Sequence, residues 1–146
     1  MSLTMSVTER QQFLAGVHVA IISIPRSAKG PLTVPIWYDY EPGGEPWMIT
    51  NRDSIKGKLL TRSQRISLCV QSETAPYKYV SIEGSFAVTP LIDGQLLAMA
   101  IRYLGEEQGR SYAESFASAE GSSNNEDSIV VSIKPETWYT VDYSKG

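Results

Sequence analysis

Thr50, Asn51, Ser54, Lys56 and Lys58 are the residues whose types and spacing could do chemistry. They lie in "WMITNRDSIKGKLLTR", residues 47–62, which passes from a strand-like apolar run into a short basic segment. Ser54 stands where a helix would begin. The first N–H groups of a helix lack partners and carry partial positive charge, so they attract anions. A hydroxyl, helix N–H groups and the Lys56 ammonium meeting at one point would suit a phosphate monoester. On spacing alone the plainer reading is favoured, a capping serine followed by solvated lysines. Asp53 fits the phosphate reading least, because its carboxylate competes with an anion unless it points away or caps the helix. The stretch is no P-loop, since the Gly-rich run before Lys-Ser/Thr is missing, and the chain has no GxGxxG.

Other site chemistries find little support. His18 is the sole histidine and Cys69 the sole cysteine, which speaks against a His/Cys zinc site. A Ser-His-Asp triad would have to recruit His18 from the apolar run "GVHVAIISI", where a structural strand histidine is the commoner occupant. Cys69, in "ISLCV", reads as a buried free thiol. A single thiol makes no internal disulfide, so the expected setting is reducing and cytoplasmic. No apolar run is long enough to span a membrane, and "MSLTMSVTER" lacks the charged-then-apolar order of a secretory signal. A formal net charge of −3 gives no sign of a generic nucleic-acid binder.

The 146 residues, 42% hydrophobic and 20% charged, suit one soluble domain over 1–146. "VTERQQFLAG" predicts an opening helix, with Thr8 as its cap and Gly16 as its stop. "VHVAIISI" (17–24) is apolar on both faces, as a strand covered by a core and by a subunit interface would be. "LTVPIWYDY" (32–40) alternates, with Leu32, Val34, Ile36, Tyr38 and Tyr40 on one face. Pro35 on the other face requires a bulge, an edge, or a side that meets a ligand rather than a strand. "EPGGEP" turns into the strand "WMITN", and "SIKGKLLTR" follows as a short helix.

"RISLCVQS" is a fourth strand and "YKYVSIEGSFAVTPL" a long fifth, in which Gly84 marks a bulge or barrel corner. "GQLLAMAIRYLG" is an amphipathic helix with Leu97, Ile101 and Leu104 on one face, and a second short helix fits "GRSYAESFASA". "EGSSNNEDS" (120–128) is the most loop-like segment. "IVVSIKP" and "WYTVDY" form one bent strand or two. About six strands with short flanking helices predict an α+β, mainly β domain built on an antiparallel barrel.

The order "FLAGVHVAIISI", "GPLTVPIWYDY", "WMITNRDSIKGKLL", "RISLCV", "PYKYVSIEGSFAV", "RYLGEEQG", "SIKPETWYTVDY" resembles the pyridoxamine 5'-phosphate oxidase-like, flavin-binding split-barrel family. The resemblance runs from about residue 10 to 143. It is nearest the small flavin- or deazaflavin-dependent reductases. It implies a six-stranded antiparallel split barrel that forms a homodimer with cofactor sites in the dimer groove. It also implies that Val34, Pro35, Ile36 and Trp37 run beside the flavin ring, largely through backbone. Thr50, Ser54 and Lys56 match the phosphate-binding positions, with Asn51 and Ile55 beside them and Lys58 where arginine is common. Tyr79 and Ser81 fall near the ring or substrate, and Trp138 and Tyr139 where a partner closes the groove. Ordinary barrel or interface packing explains Tyr79, Trp138 and Tyr139 as readily.

The C-terminal arginine and histidine of true pyridoxamine phosphate oxidases are missing from "WYTVDYSKG", which speaks against vitamin B6 oxidation. The implied activity is hydride transfer between bound FMN and a small organic substrate. The alternatives are 8-hydroxy-5-deazaflavin in place of FMN, or a flavin- or haem-binding protein without turnover. No side chain is then needed as nucleophile, because the cofactor carries the chemistry.

Overall fold

The computed structural model describes residues 2–118 and 127–146. The order is α1 (Val7–Ala15), β1 (Ala20–Ile24), β2 (Leu32–Ile36), β3 (Trp47–Asn51), α2 (Ile55–Leu60), β4 (Arg65–Gln71) and β5 (Lys78–Pro90). Then come α3 (Gln95–Leu104), α4 (Glu106–Ser118), β6 (Ser128–Ile133) and β7 (Thr137–Asp142). A 3-10 turn over Tyr143–Lys145 follows.

The strands follow the antiparallel path β2-β1-β4-β5-β6-β3, and β7 pairs with β5 beside it. The 13-residue β5 joins both halves of the sheet. Its first part pairs with β4 and β7, and its last part, Phe86–Pro90, pairs with β6. The change of partner falls next to Gly84, where an added Cβ would overlap the Lys134 carbonyl oxygen. The predicted barrel corner at Gly84 is therefore a close crossing of two backbones.

The path curls until its end strands, β2 and β3, approach across their own connection. Among the described residues, the isolated bridge Asp39–Trp47 is the backbone pairing that ties them, with both N–H···O contacts at 3.0 Å. The result is a mostly β split barrel with four short helices. Inward positions fill it: Ala20, Ile22 and Ile24 from β1, Leu68 and Val70 from β4, and Val80 and Ile82 from β5. Each such aliphatic side chain larger than Ala contributes about 1.5–3 kcal/mol on burial.

Two local expectations differ from the structure, and a third, left open between one strand and two, is decided. The cap of α1 is Ser6, whose hydroxyl accepts the Glu9 N–H while the Glu9 carboxylate accepts the Ser6 N–H. The reciprocal pair outcompetes Thr8, which lies within the helix. Strand β2 stops at Ile36, yet Tyr38 and Tyr40 are still buried. The C-terminal apolar segments are two strands, split at Lys134-Pro135-Glu136, which gives the sheet a seventh member. The loop read over 120–128 falls mostly outside the described residues. Among the described residues, no helix is long and apolar enough to cross a membrane.

The chain ends are tied together. The Asp142 N–H donates to the Leu3 carbonyl at 2.8 Å, and the Met5 N–H donates to the Thr140 hydroxyl at 3.0 Å. Lys145 Nζ reaches the Glu9 carboxylate at 2.7 Å and the Thr4 carbonyl at 3.1 Å. The bond from Lys145, then those from Ser6, bring the Glu9 carboxyl from the ordinary 4.5 down to about 2. A carboxyl lowered in the folded state stabilises above its unfolded value and loses that contribution as pH falls through the folded one. Thermal melts should therefore show an acid loss from Glu9 between about pH 4.5 and 2, and Lys145→Met should flatten that part of the profile. An unchanged profile in the variant would exclude the Lys145–Glu9 tie as its source.

Candidate functional site at the split

The turn from β3 into α2 gathers the predicted phosphate residues. Thr50 is buried (8% exposed), and its hydroxyl lies 3.4 Å from that of Ser54. Ser54 is the N-cap of α2: it accepts the Gly57 N–H at 3.1 Å and donates to the Asn51 carbonyl at 2.6 Å. A hydroxyl has one proton, so Ser54 has none left for an anion while this cap holds. Of the three residues matched to phosphate positions, Thr50 and Lys56 are the remaining side-chain donors. Lys56 is half-buried, and among the described residues its ammonium makes no hydrogen bond or ion pair.

The six residues of α2 form a short helix, so Lys56 rather than a long aligned backbone supplies the positive charge. Asn51 shapes the turn by accepting the Asp53 N–H at 2.8 Å. Asp53 itself is exposed and is not the cap. Gly57 lets the helix sit against this turn, since a Cβ there would overlap the Asn51 and Arg52 carbonyl oxygens. Ile55 (67% exposed) and Lys58 face outward.

On β2, Val34 and Ile36 pack partly against the core while Thr33 and Pro35 are exposed. Pro35 is opposite Ile21 on β1, and β2 is an end strand, the position in a sheet that tolerates proline. Trp37 follows, stacked on Tyr103 at 4.8 Å and 7° and tilted against Tyr112 at 5.6 Å and 50°.

Trp37, Thr50 and Asn51 meet on one cavity of about 310 Å³. Ile49 and Ser128 extend the strand wall, and Leu96, Met99, Tyr112 and Phe116 from α3 and α4 form the rest. Sequence reasoning missed those four helix residues. Amphipathic spacing had put Leu97, Ile101 and Leu104 on the packed face of α3, whereas Met99 and Ala100 are its buried residues and Leu96 and Met99 line the cavity.

Other predicted residues lie elsewhere. Pro35 borders a separate cavity of about 640 Å³ on the outer sheet face, with His18, Val19, Ile21 and Cys69. Burial lowers the His18 pKa and raises that of Cys69. His18 is stacked on Phe13 at 4.6 Å. Tyr79, half-buried on β5, pairs with Gln71 and Val141 and does not line the Trp37 cavity. Trp138 packs against the core with the Arg10 guanidinium 4.3 Å over its ring. No group of three or more His, Cys, Asp or Glu able to hold a metal occurs among the described residues.

Arg102 and Tyr103 of α3 fix Trp37 in place. Arg102 donates to the carbonyls of Tyr38 (3.0 Å) and Gly16 (2.8 Å), and its guanidinium lies 3.3 Å from the Asp39 carboxylate. The Tyr103 hydroxyl donates to the His18 carbonyl at 2.6 Å and accepts the Tyr38 N–H at 3.0 Å. Burial raises the Tyr103 pKa, so the phenol stays protonated to donate.

An antiparallel sheet opened between β2 and β3, with a helix pair over the opening, is a split barrel. Solved structures that share the fold include a protein described as a putative pyridoxamine 5'-phosphate oxidase from Listeria innocua, at a TM-score of 0.59 and 10% identity over 84% of this chain and 87% of that one. A conserved hypothetical protein from Mycobacterium tuberculosis shares the fold at a TM-score of 0.75 and 20% identity, over 99% of this chain and 89% of that one. A structure named F420 reductase matches at 0.69 and 15% identity, over 88% of this chain and 94% of its own. An FAD-binding protein from Mesorhizobium loti matches at 0.65 and 17%, over 94% of each. No family model and no curated protein matches the sequence. At these identities the likeness is one of fold.

Tyr103→Phe leaves the Tyr38 N–H and the His18 carbonyl without their partner. Urea unfolding should show a loss of about 1–3 kcal/mol, with the near-UV signature of the Trp37 stack retained. Full wild-type stability would mean the hydroxyl contacts contribute nothing net.

Proposed function

We propose that the protein binds a flavin-type cofactor in the split and is an oxidoreductase acting on a small organic molecule. The observation that carries this is the turn from β3 into α2, in a barrel whose β2 edge is unpaired. There the buried Thr50 hydroxyl lies 3.4 Å from the Ser54 cap, and the half-buried Lys56, with no hydrogen bond or ion pair among the described residues, follows two residues after that cap. A cation and a hydroxyl donor at one end of an open strand edge fit a group with a phosphate tail and a flat ring. Thr50 and Lys56 would hold the phosphate, with Ser54, Asn51 and Ile55 forming the turn around it. The backbone of Val34, Pro35, Ile36 and Trp37 would line the ring. Lys58 is exposed and would add long-range attraction only.

A bound flavin supplies two-electron hydride chemistry at its ring, so the protein need only bind, orient and exclude water. FMN is the reading the phosphate residues favour. The neighbour named F420 reductase supports 8-hydroxy-5-deazaflavin as the second reading. A haem would depend on His18, which is stacked on Phe13 and set apart from the Thr50 turn, so that reading is weaker.

The site would be completed by a second copy of the chain. Strand register aligns Pro35, Ile21, Cys69, Ser81 and Tyr139 in one row across the outer face of β2, β1, β4, β5 and β7. Val19 (52% exposed) and Tyr139 (54%) widen this into an apolar surface. A homodimer through it would bring Tyr79 and Tyr139 towards the partner's groove. Ile21→Glu should convert a dimer to monomer in light scattering. A monomeric wild type would remove this interface.

Purified holoprotein should absorb near ~375 and ~450 nm if it holds oxidised flavin. Lys56→Ala removes a charge-assisted contact and should weaken FMN binding by about 1.5–3 kcal/mol in a fluorescence titration. Equal affinity in wild type and variant would take Lys56 out of the site, and uptake of deazaflavin alone would replace FMN by the second reading.

A further inference from the structure

The cavity between Trp37 and the α3–α4 pair has a chemistry unlike that of the Lys56 turn. The chain carries 13 basic and 16 acidic residues, yet none lines this space among the described residues. Transferring a charge into a site with no counter-charge is costly, so such a cavity discriminates against ions. Trp37, Tyr112 and Phe116 give it aromatic sides, and Leu96 and Met99 complete the apolar wall. Flat rings pack best on flat partners, in offset or edge-on arrangements.

Trp37 does not drift to fill the space itself, because Tyr103 lies parallel to it at 4.8 Å. The Tyr103 hydroxyl is in turn bound to the His18 carbonyl. The polar lining is Thr50 and Asn51 on β3 with Ser128 at the start of β6. Asn51 commits its carboxamide oxygen to the Asp53 N–H, which leaves its NH2 end as the group a ligand could meet. That group donates, so a matching ligand carries an acceptor such as a carbonyl or hydroxyl oxygen. At about 310 Å³ the space is at the small end of ordinary ligand pockets and would admit one or two fused rings.

We infer that this cavity binds a neutral, planar, largely apolar small molecule bearing one oxygen acceptor. On the flavin reading given above, it is the substrate compartment. The Thr50–Asn51 segment then touches both compartments, with anion recognition on the α2 side and charge exclusion on the α3–α4 side. The binding statement itself stands apart from the cofactor, since the cavity is built from this chain alone.

Two probes of one shape separate the outcomes: 2-naphthol, neutral at pH 7, and naphthalene-2-sulfonate, a permanent anion. Isothermal titration of the full chain without added cofactor should show saturable 2-naphthol binding at least about tenfold tighter than sulfonate binding, the discrimination expected against an uncompensated charge. Tyr112→Ala, at a position 42% exposed, should weaken 2-naphthol about fivefold or more by removing an aromatic wall. Leu96→Asp, which places a carboxylate in the lining, should abolish it while circular dichroism reports the native fold. Equal affinity for the two probes, no saturable 2-naphthol heat, or wild-type affinity in both variants would overturn the proposal. A protein that takes 2-naphthol but neither flavin nor deazaflavin would keep this site and refute the cofactor reading. Flavin uptake without 2-naphthol binding would do the reverse.

Discussion

The partly buried guanidinium of Arg102 is the constraint on which the arrangement of the site rests. A barrel left open between two strands exposes carbonyls where the chain enters and leaves the sheet, and buried carbonyls without donors are costly. Arg102 reaches back from α3 to the carbonyls of Gly16, before β1, and Tyr38, after β2, and lies beside the Asp39 carboxylate. Tyr103, the next residue, binds His18 and Tyr38. Two adjacent side chains thus lock α3 to both strands that precede the split. Because Trp37 lies between these anchor points and stacks on Tyr103, its plane follows from the same contacts.

The division of labour at the Thr50 turn follows from proton counting. Ser54 looks like the obvious anion ligand, yet its proton is used at 2.6 Å by the Asn51 carbonyl. It holds the turn, and the turn holds Thr50 and Lys56. Asp53, the awkward residue of the sequence reading, is exposed ahead of a cap that belongs to Ser54.

Much of the barrel was legible because apolar and β-branched runs mark strands and alternation reports one-sided burial: on β2, Val34 and Ile36 pack against the core while Thr33 and Pro35 are exposed. Gly84 could be read as a corner because a strand glycine needs a steric reason. Arg102 was not legible. An arginine on an amphipathic helix reads as solvated, and only the fold shows that carbonyls distant in sequence surround it. The cavity was hidden for the same reason. Leu96, Met99, Tyr112 and Phe116 are ordinary helix residues until α3 and α4 are laid over Trp37 and β3. Trp138 shows the opposite limit: its position in the family-like motif suggested a cofactor contact, whereas its surroundings here are the core and Arg10.

Pro35 has a consequence outside the site. An unpaired edge of five alternating residues would be a ready template for a strand from another chain, and intermolecular pairing of that kind seeds aggregation. Proline interrupts the row of N–H donors such a strand would need, while leaving neighbouring carbonyls and amides for something smaller. The same residue that makes the edge irregular as a strand makes the opening a poor template for pairing with a strand of another chain.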